Sequence, residues 1–235
     1  MAGRGFPAEV EPIPNDRIYV LRNGRWWPMY VPINPDRVTA GINLAESFAL
    51  QFLQDHPEDT IGLIPCADGG TNLEQWTPGG VLYDHAVMMT SLAQRNSTLA
   101  GILWHQGESD CPPALYPTYA QRCTPILESL RRDIGASNVP LVLGGLGDFL
   151  ANYESSEDFK NYVHINRQLQ DMAQTLPNCG FASAQGLPGN PDNLHFSAPA
   201  LRQLGLRYYE AYLQLQPVQS ANQQVDLSVT EIEKL

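Results

Sequence analysis

The chain has 235 residues, 43% of them hydrophobic and 17% charged, with 14 basic against 25 acidic side chains for a formal net charge of −11. That length buries a full core and fits one domain, and no stretch reaches ~18 uninterrupted apolar residues, so nothing reads as a bilayer-spanning helix. A surface of this sign repels polyphosphate backbones and anionic membranes, which argues against nucleic acid and membrane as partners.

Residues 1–16 carry Gly3, Gly5 and three prolines, and read as loop. Arg17–Leu21 and Arg25–Met29 flank Asn23-Gly24, which predicts a small β-hairpin insertion over about 17–29. After the loop Pro32–Gly41, the residues Ala45, Phe48, Ala49, Phe52 and Leu53 fall on one helical face that stops before Pro57. Thr60–Pro65 reads as a buried strand followed by a glycine-containing turn, Cys66–Thr71. Leu82, Ala86, Met89 and Ala93 repeat at helical spacing, and the apolar run Leu99–Leu103 reads as a central strand.

A second helical stripe, Tyr119, Cys123, Ile126, Leu127, Leu130 and Ile134, ends near Gly135. Val139–Leu143 reads as a strand bounded by Gly144-Gly145, and Phe159, Tyr162, Val163, Leu169, Met172 and Leu176 form a stripe that runs up to Pro177. Phe181–Ala184 is a short strand, Gly186–Leu194 a polar loop, and Ala198–Leu215 a helix with Ser197 as its N-cap. Helix and strand thus alternate from 41 to 215, which calls for a mostly parallel sheet covered on both faces. The domain spans 1–216, and the Gln-, Ser- and Asn-rich tail 217–235 is expected to be loosely held.

Three loops leave the C-terminal ends of these strands, where open α/β sheets keep their chemistry. Asp68-Gly69-Gly70-Thr71 offers backbone N–H groups to a developing negative charge, although a Gly-Gly by itself is only a turn. Gln106-Gly107-Glu108 places an amide donor and a carboxylate within three residues. Asp192-Asn193-Leu194-His195 sets a carboxylate three positions before an imidazole; a carboxylate on Nδ1 leaves Nε2 as a general base near neutral pH. Either Asp192 or Glu108 can serve as that anchor. The four cysteines, Cys66, Cys111, Cys123 and Cys179, lack C-x-x-C spacing and read as buried thiols, with a Cys111–Cys123 disulfide as the alternative. Neither a metal nor a cofactor is implied.

Trp104-His105-Gln106-Gly107-Glu108-Ser109-Asp110, with Gly62–Thr71 before it and Asp192–Ser197 after it, resembles the sialate O-acetylesterase and acetylxylan esterase group of SGNH hydrolases, carbohydrate esterase family six. The resemblance covers nearly the whole chain in the right order. It implies a serine esterase that removes acetyl groups from sugars, on a three-layer α/β/α flavodoxin-like fold, with an acetylated carbohydrate as the partner molecule. Carried over, His195 looks like the catalytic base, Asp192 or Glu108 its orienting acid, and Gly69 or Gly70 with Gln106 the oxyanion hole. Trp76 and Trp26-Trp27 are candidates either for stacking on sugar faces or for ordinary packing.

The nucleophile is the departure. The family's serine precedes a Met-Ala-Gly-Arg-Gly segment, and this chain begins at Met1-Ala2-Gly3-Arg4-Gly5, so the serine and its central strand are expected upstream of Met1. Ser47, Ser109 and Ser197 do not sit on the tight strand-to-helix turn that exposes a nucleophile. The chain is therefore expected to be inactive as given. Loss of a central strand would leave unpaired buried backbone groups at roughly 1–3 kcal/mol each, so poor solubility or partial unfolding is expected. The competing reading is a catalytically dead glycan-binding or interaction module of the same fold.

Overall fold

The computed structural model describes residues 2–216, and the expectation for the tail 217–235 lies outside them. Where the sequence places apolar residues at helical spacing, helices form: α1 (Ala45–Asp55), α2 (Val81–Ala93), α3 (Tyr119–Asp133), α4 (Tyr162–Thr175) and α5 (Ala198–Leu213). The last is capped as expected, Ser197 Oγ accepting from the Ala200 N–H. Phe159 falls before α4, in a 3-10 turn at Glu157–Asn161.

The strands are β1 (Ile18–Arg22), β2 (Arg25–Pro28), β3 (Ile61–Leu63), β4 (Ile102–Trp104), β5 (Leu141–Gly144) and β6 (Cys179–Ala182). They form two three-stranded sheets, in the orders β2-β1-β3 and β4-β5-β6. Every pairing is parallel except the β1–β2 hairpin. The mostly parallel α/β arrangement read from the sequence is present, its strands divided among the described residues into two three-stranded sheets.

The hairpin turns at Asn23 (φ 49°) and Gly24 (φ 75°), the left-handed pair that a two-residue turn demands. It is not an insertion standing apart from the sheet. β1 pairs in parallel with β3, because Ile18 and Val20 are fully buried and need the main core beneath them. Trp26 is used up in this packing: a Cβ on Gly62 would lie 2.5 Å from its ring, and its Nε1 donates to Asn96 Oδ1. Trp27 stays 47% exposed.

β5 sits between β4 and β6, and all four of its residues are buried. Successive side chains on a strand face opposite ways, so burial of all four means cover on both faces. That cover is α4 and α5, both of which pack on β5 and β6, while α1 packs on α5 and α3 on α4. Leu141, Val142 and Leu143 are each fully buried, contributing roughly 1.5–3 kcal/mol apiece. Layering of this kind leaves the strand ends as the place where polar loops gather.

Candidate active site

β4 ends at Trp104, and the next six residues turn away from the sheet, with Glu108–Asp110 forming a 3-10 turn. What holds this loop is Asp110, whose side chain is fully buried. Asp110 Oδ2 accepts from the Leu73 N–H at 3.0 Å and from Gln106 Nε2 at 2.7 Å, while Oδ1 meets Arg122 Nη1 of α3 at 2.8 Å. Gln106 Nε2 also donates to the Thr71 carbonyl at 3.1 Å, and Tyr119 Oη donates to the Gln106 carbonyl. Trp76 Nε1 donates to Thr71 Oγ1, and its ring packs edge-on against Trp104, so Trp76 is a packing residue, 8% exposed. The loop after β4 and the loop after β3 are therefore one bonded unit.

His195 lies on the loop that leads into α5. Its Nδ1 is 2.7 Å from Asp192 Oδ2, and Asp192 Oδ1 accepts from the N–H groups of Leu194 and His195. Burial acts to raise the Asp192 carboxyl, but the hydrogen bond from His195 and those two backbone bonds outweigh it and hold it below the ordinary carboxylate value. Of the two carboxylates read from the sequence, Asp192 is the one hydrogen-bonded to the imidazole. Glu108 instead sits with Oε1 3.8 Å from His105 Nε2.

Burial raises the Glu108 carboxyl above its ordinary value, opposed by its own backbone N–H and by the charge on His195. Glu108 and His195 therefore lie within each other's field. Phe196, beside His195, packs edge-on against His105 at 5.7 Å between ring centres. His105 itself is buried. Tyr208 Oη gives its proton to the Trp104 carbonyl, so the bond between His105 Nδ1 and Tyr208 Oη is donated by the imidazole, which assigns the Nδ1–H tautomer. Burial drives the imidazole well below its ordinary value and keeps it neutral.

Of the three donors expected around an oxyanion, two are engaged elsewhere. The Gly69 N–H donates to Asp36 Oδ2 at 2.8 Å, and Gln106 uses its amide on Thr71 and Asp110. Gly70, at φ 79°, is exposed, and nothing lies within 4 Å of where its Cβ would be. Asp36, which captures Gly69, and Asn190 carry no signal in the sequence; Arg4, read there only as an arginine able to hold a loop by a salt bridge, connects Asp36 to the His195 loop.

Among the described residues His195 Nε2 has no hydrogen-bonded hydroxyl. Ser47 is buried in α1 and donates to the Arg202 carbonyl, and Ser197 is spent as the cap of α5. All four cysteines are free thiols, so the alternative Cys111–Cys123 disulfide is not formed. Burial pushes Cys66, Cys111 and Cys123 up to about 12 and Cys179 to about 11, which keeps them protonated and poor nucleophiles. Among the described residues no group of three or more His, Cys, Asp or Glu is arranged to hold a metal ion, and no helix is long and apolar enough to cross a membrane.

Comparison with known proteins gives this arrangement a lineage. A probable carbohydrate esterase of Arabidopsis thaliana is 29% identical over 208 residues, 85% of this chain and 76% of that protein. Its crystal structure aligns with a TM-score of 0.78 at 27% identity, covering 91% of this chain and 93% of that one. Two further crystal structures share the fold. NanS aligns at TM-score 0.70 and 20% identity, over 91% of this chain and 92% of its own. A carbohydrate acetylesterase from Xanthomonas citri aligns at 0.64 and 19%, over 86% of this chain and 49% of its own. The model of the family described as carbohydrate esterase, sialic acid-specific acetylesterase, matches residues 1–214, and the chain belongs to that family.

Proposed function

We propose that this chain carries the acid–base centre of an acetylesterase that removes acetyl groups from sugars by serine-type chemistry. The observation that carries the reading is the 2.7 Å bond between His195 Nδ1 and Asp192 Oδ2, which leaves Nε2 as the base. Nε2 takes the proton of a serine hydroxyl as its oxygen attacks the acetyl carbonyl. The Gly70 N–H faces the resulting oxyanion, a donor worth on the order of 3 kcal/mol in the transition state. Collapse expels the sugar oxygen, which collects the proton from the imidazolium, and water then releases acetate by the same route in reverse roles. Asp192 holds the ring and stabilises its charged form; Glu108 contributes to the field around it.

A second reading, a sugar-binding module without hydrolysis, is favoured by one observation: Ser47 and Ser197 are both committed to structural bonds. One experiment separates the two. The chain alone, the chain preceded by a strand-and-serine segment of the kind the resemblance calls for, and the His195→Ala variant of each are assayed on 4-nitrophenyl acetate, 4-nitrophenyl octanoate and acetylated xylan, with calorimetric titration of acetylated oligosaccharide alongside. The first reading expects the serine-bearing form to hydrolyse acetyl in preference to octanoyl esters, with a fall of about 10²–10⁴-fold in His195→Ala. Saturable binding without turnover selects the module, and activity indifferent to His195 removes the mechanism.

A further inference from the structure

Arg4 and Asp36 form a buried, two-pronged ion pair: Nη1 reaches Oδ1 at 3.0 Å and Nη2 reaches Oδ2 at 2.6 Å, with side chains only 11% and 6% exposed. On one side the pair carries the Gly69–Gly70 turn. Asp36 Oδ2 accepts the Gly69 N–H at 2.8 Å, and a Cβ on Gly69 would lie 2.4 Å from Arg4 Nη2, so the turn is seated directly on the guanidinium. On the other side the Arg4 carbonyl accepts from Asn190 Nδ2 at 3.1 Å, and the buried Asn190 donates its own N–H to the His195 carbonyl at 2.6 Å. The next residue, Gly5, presses on the start of α5: a Cβ there would lie 2.7 Å from Ala198 Cα.

Gly69, Asp36, Arg4, Asn190 and His195 are thus joined in one unbroken chain of bonds. We infer that the Arg4–Asp36 pair is a positioning device that fixes the distance between the Gly70 N–H and the His195 imidazole. This assignment rests on the reading of those two groups as oxyanion donor and base. The chemistry fits the task. A guanidinium–carboxylate fork fixes angle as well as distance, which a lysine's point charge does not. A buried pair adds little net stability over apolar residues of the same size, so its value here lies in geometry. Arg4 and Asp36 touch no substrate and are positioning residues.

The test uses the whole chain, labelled with 15N, as parent, Asp36→Asn, Arg4→Lys and the double variant Arg4→Met/Asp36→Leu, which buries no unpaired charge. Two readouts are taken: the Gly69, Gly70 and His195 imidazole resonances, and kcat and KM on 4-nitrophenyl acetate for the same variants preceded by the strand-and-serine segment. Displacement of the resonances on both sides of the pair is expected in every folded variant. In Arg4→Lys and the double variant, kcat should fall about 10- to 100-fold with KM within about twofold, the pattern of misplaced reacting groups rather than lost binding. His195 resonances that stay at parental positions while Gly69 moves overturn the inference, as does a folded double variant with parental kcat. If the serine-bearing parent does not hydrolyse acetyl esters, the functional reading fails, and the His195 resonances alone decide whether the pair ties the two loops together.

Discussion

Asp192 grips His195 twice, accepting its backbone N–H at 3.0 Å through Oδ1 and meeting its Nδ1 at 2.7 Å through Oδ2. The carboxylate is thereby held by the segment whose imidazole it orients, and both side chains remain more than a third exposed. Such a pair does little for the fold, since exposed ion pairs contribute about 1 kcal/mol or less. Its importance is directional. An asparagine amide at the same place would donate to Nδ1 and favour the tautomer with the proton on Nε2, where a base cannot use it. In the serine-bearing form Asp192→Asn is expected to lower kcat about 10²–10⁴-fold with KM little changed, and in the chain itself to leave the urea midpoint unmoved. A parental kcat in that variant removes Asp192 from the mechanism.

The buried His105 gives stability a pH dependence whose sign can be worked out. Burial depresses its native-state affinity for a proton, so below the ordinary imidazole value the unfolded chain takes up a proton that the native state refuses. More protons bound in the unfolded state means that stability falls as pH falls, by up to about 1.4 kcal/mol per unit. Glu108 acts in the opposite sense, because its raised value lets the native state hold a proton longer than the unfolded chain does. The two are separated by comparing variants. Urea unfolding of His105→Gln from pH 6.5 to pH 5 should show a less positive slope of stability against pH than the parent; equal slopes would mean that His105 titrates normally.

How much of this was legible beforehand depends on whether the information was local. Tyr119, Cys123, Ile126, Leu127 and Leu130 all face the core, so the stripe that defined α3 was read correctly to within a residue at its C-terminal end. β6 formed at Cys179–Ala182 rather than 181–184, because its register comes from pairing Leu141 with Cys179, a long-range choice. The partnership of Asp192 with His195 was visible in their spacing, but the choice against Glu108 needed coordinates. Gly69 was read as a free donor since nothing local shows that Asp36, 33 positions earlier, takes its N–H. Arg4 and Asp36 carry no spacing signal at all.

Asp110 is the group on which the loop after β4 depends for its shape. Truncation to alanine leaves the Leu73 N–H without its acceptor, removes one of the two acceptors of the Gln106 amide and strips Arg122 of its buried partner. Losing one member of a buried pair costs about 3–5 kcal/mol. Asp110→Ala is therefore expected to lower the free energy of urea unfolding by that amount, a large share of a domain's ~5–15 kcal/mol. A loss below about 1 kcal/mol would show that the loop holds without it.

The two adjacent glycines separate strain from steric conflict. At Gly70 an alanine finds open space but must adopt φ near 79°, which costs roughly 1–2 kcal/mol, while its N–H is retained. At Gly69 the new methyl would stand 2.4 Å from Arg4 Nη2 and 3.0 Å from Asp36 Oδ2, so the pair beneath the turn has to move. Gly70→Ala should melt at lower temperature yet keep kcat within a few-fold of the parent, because the donor is still present. Gly69→Ala should lose kcat by about tenfold or more, since displacement of the pair tilts the whole turn relative to His195. Thermal melts of the two variants, and acetyl-ester kinetics of their serine-bearing forms, check this. The reverse ranking, with Gly70→Ala inactive and Gly69→Ala unaffected, would mean that the side of the turn facing Asp36 has no bearing on where the oxyanion donor points.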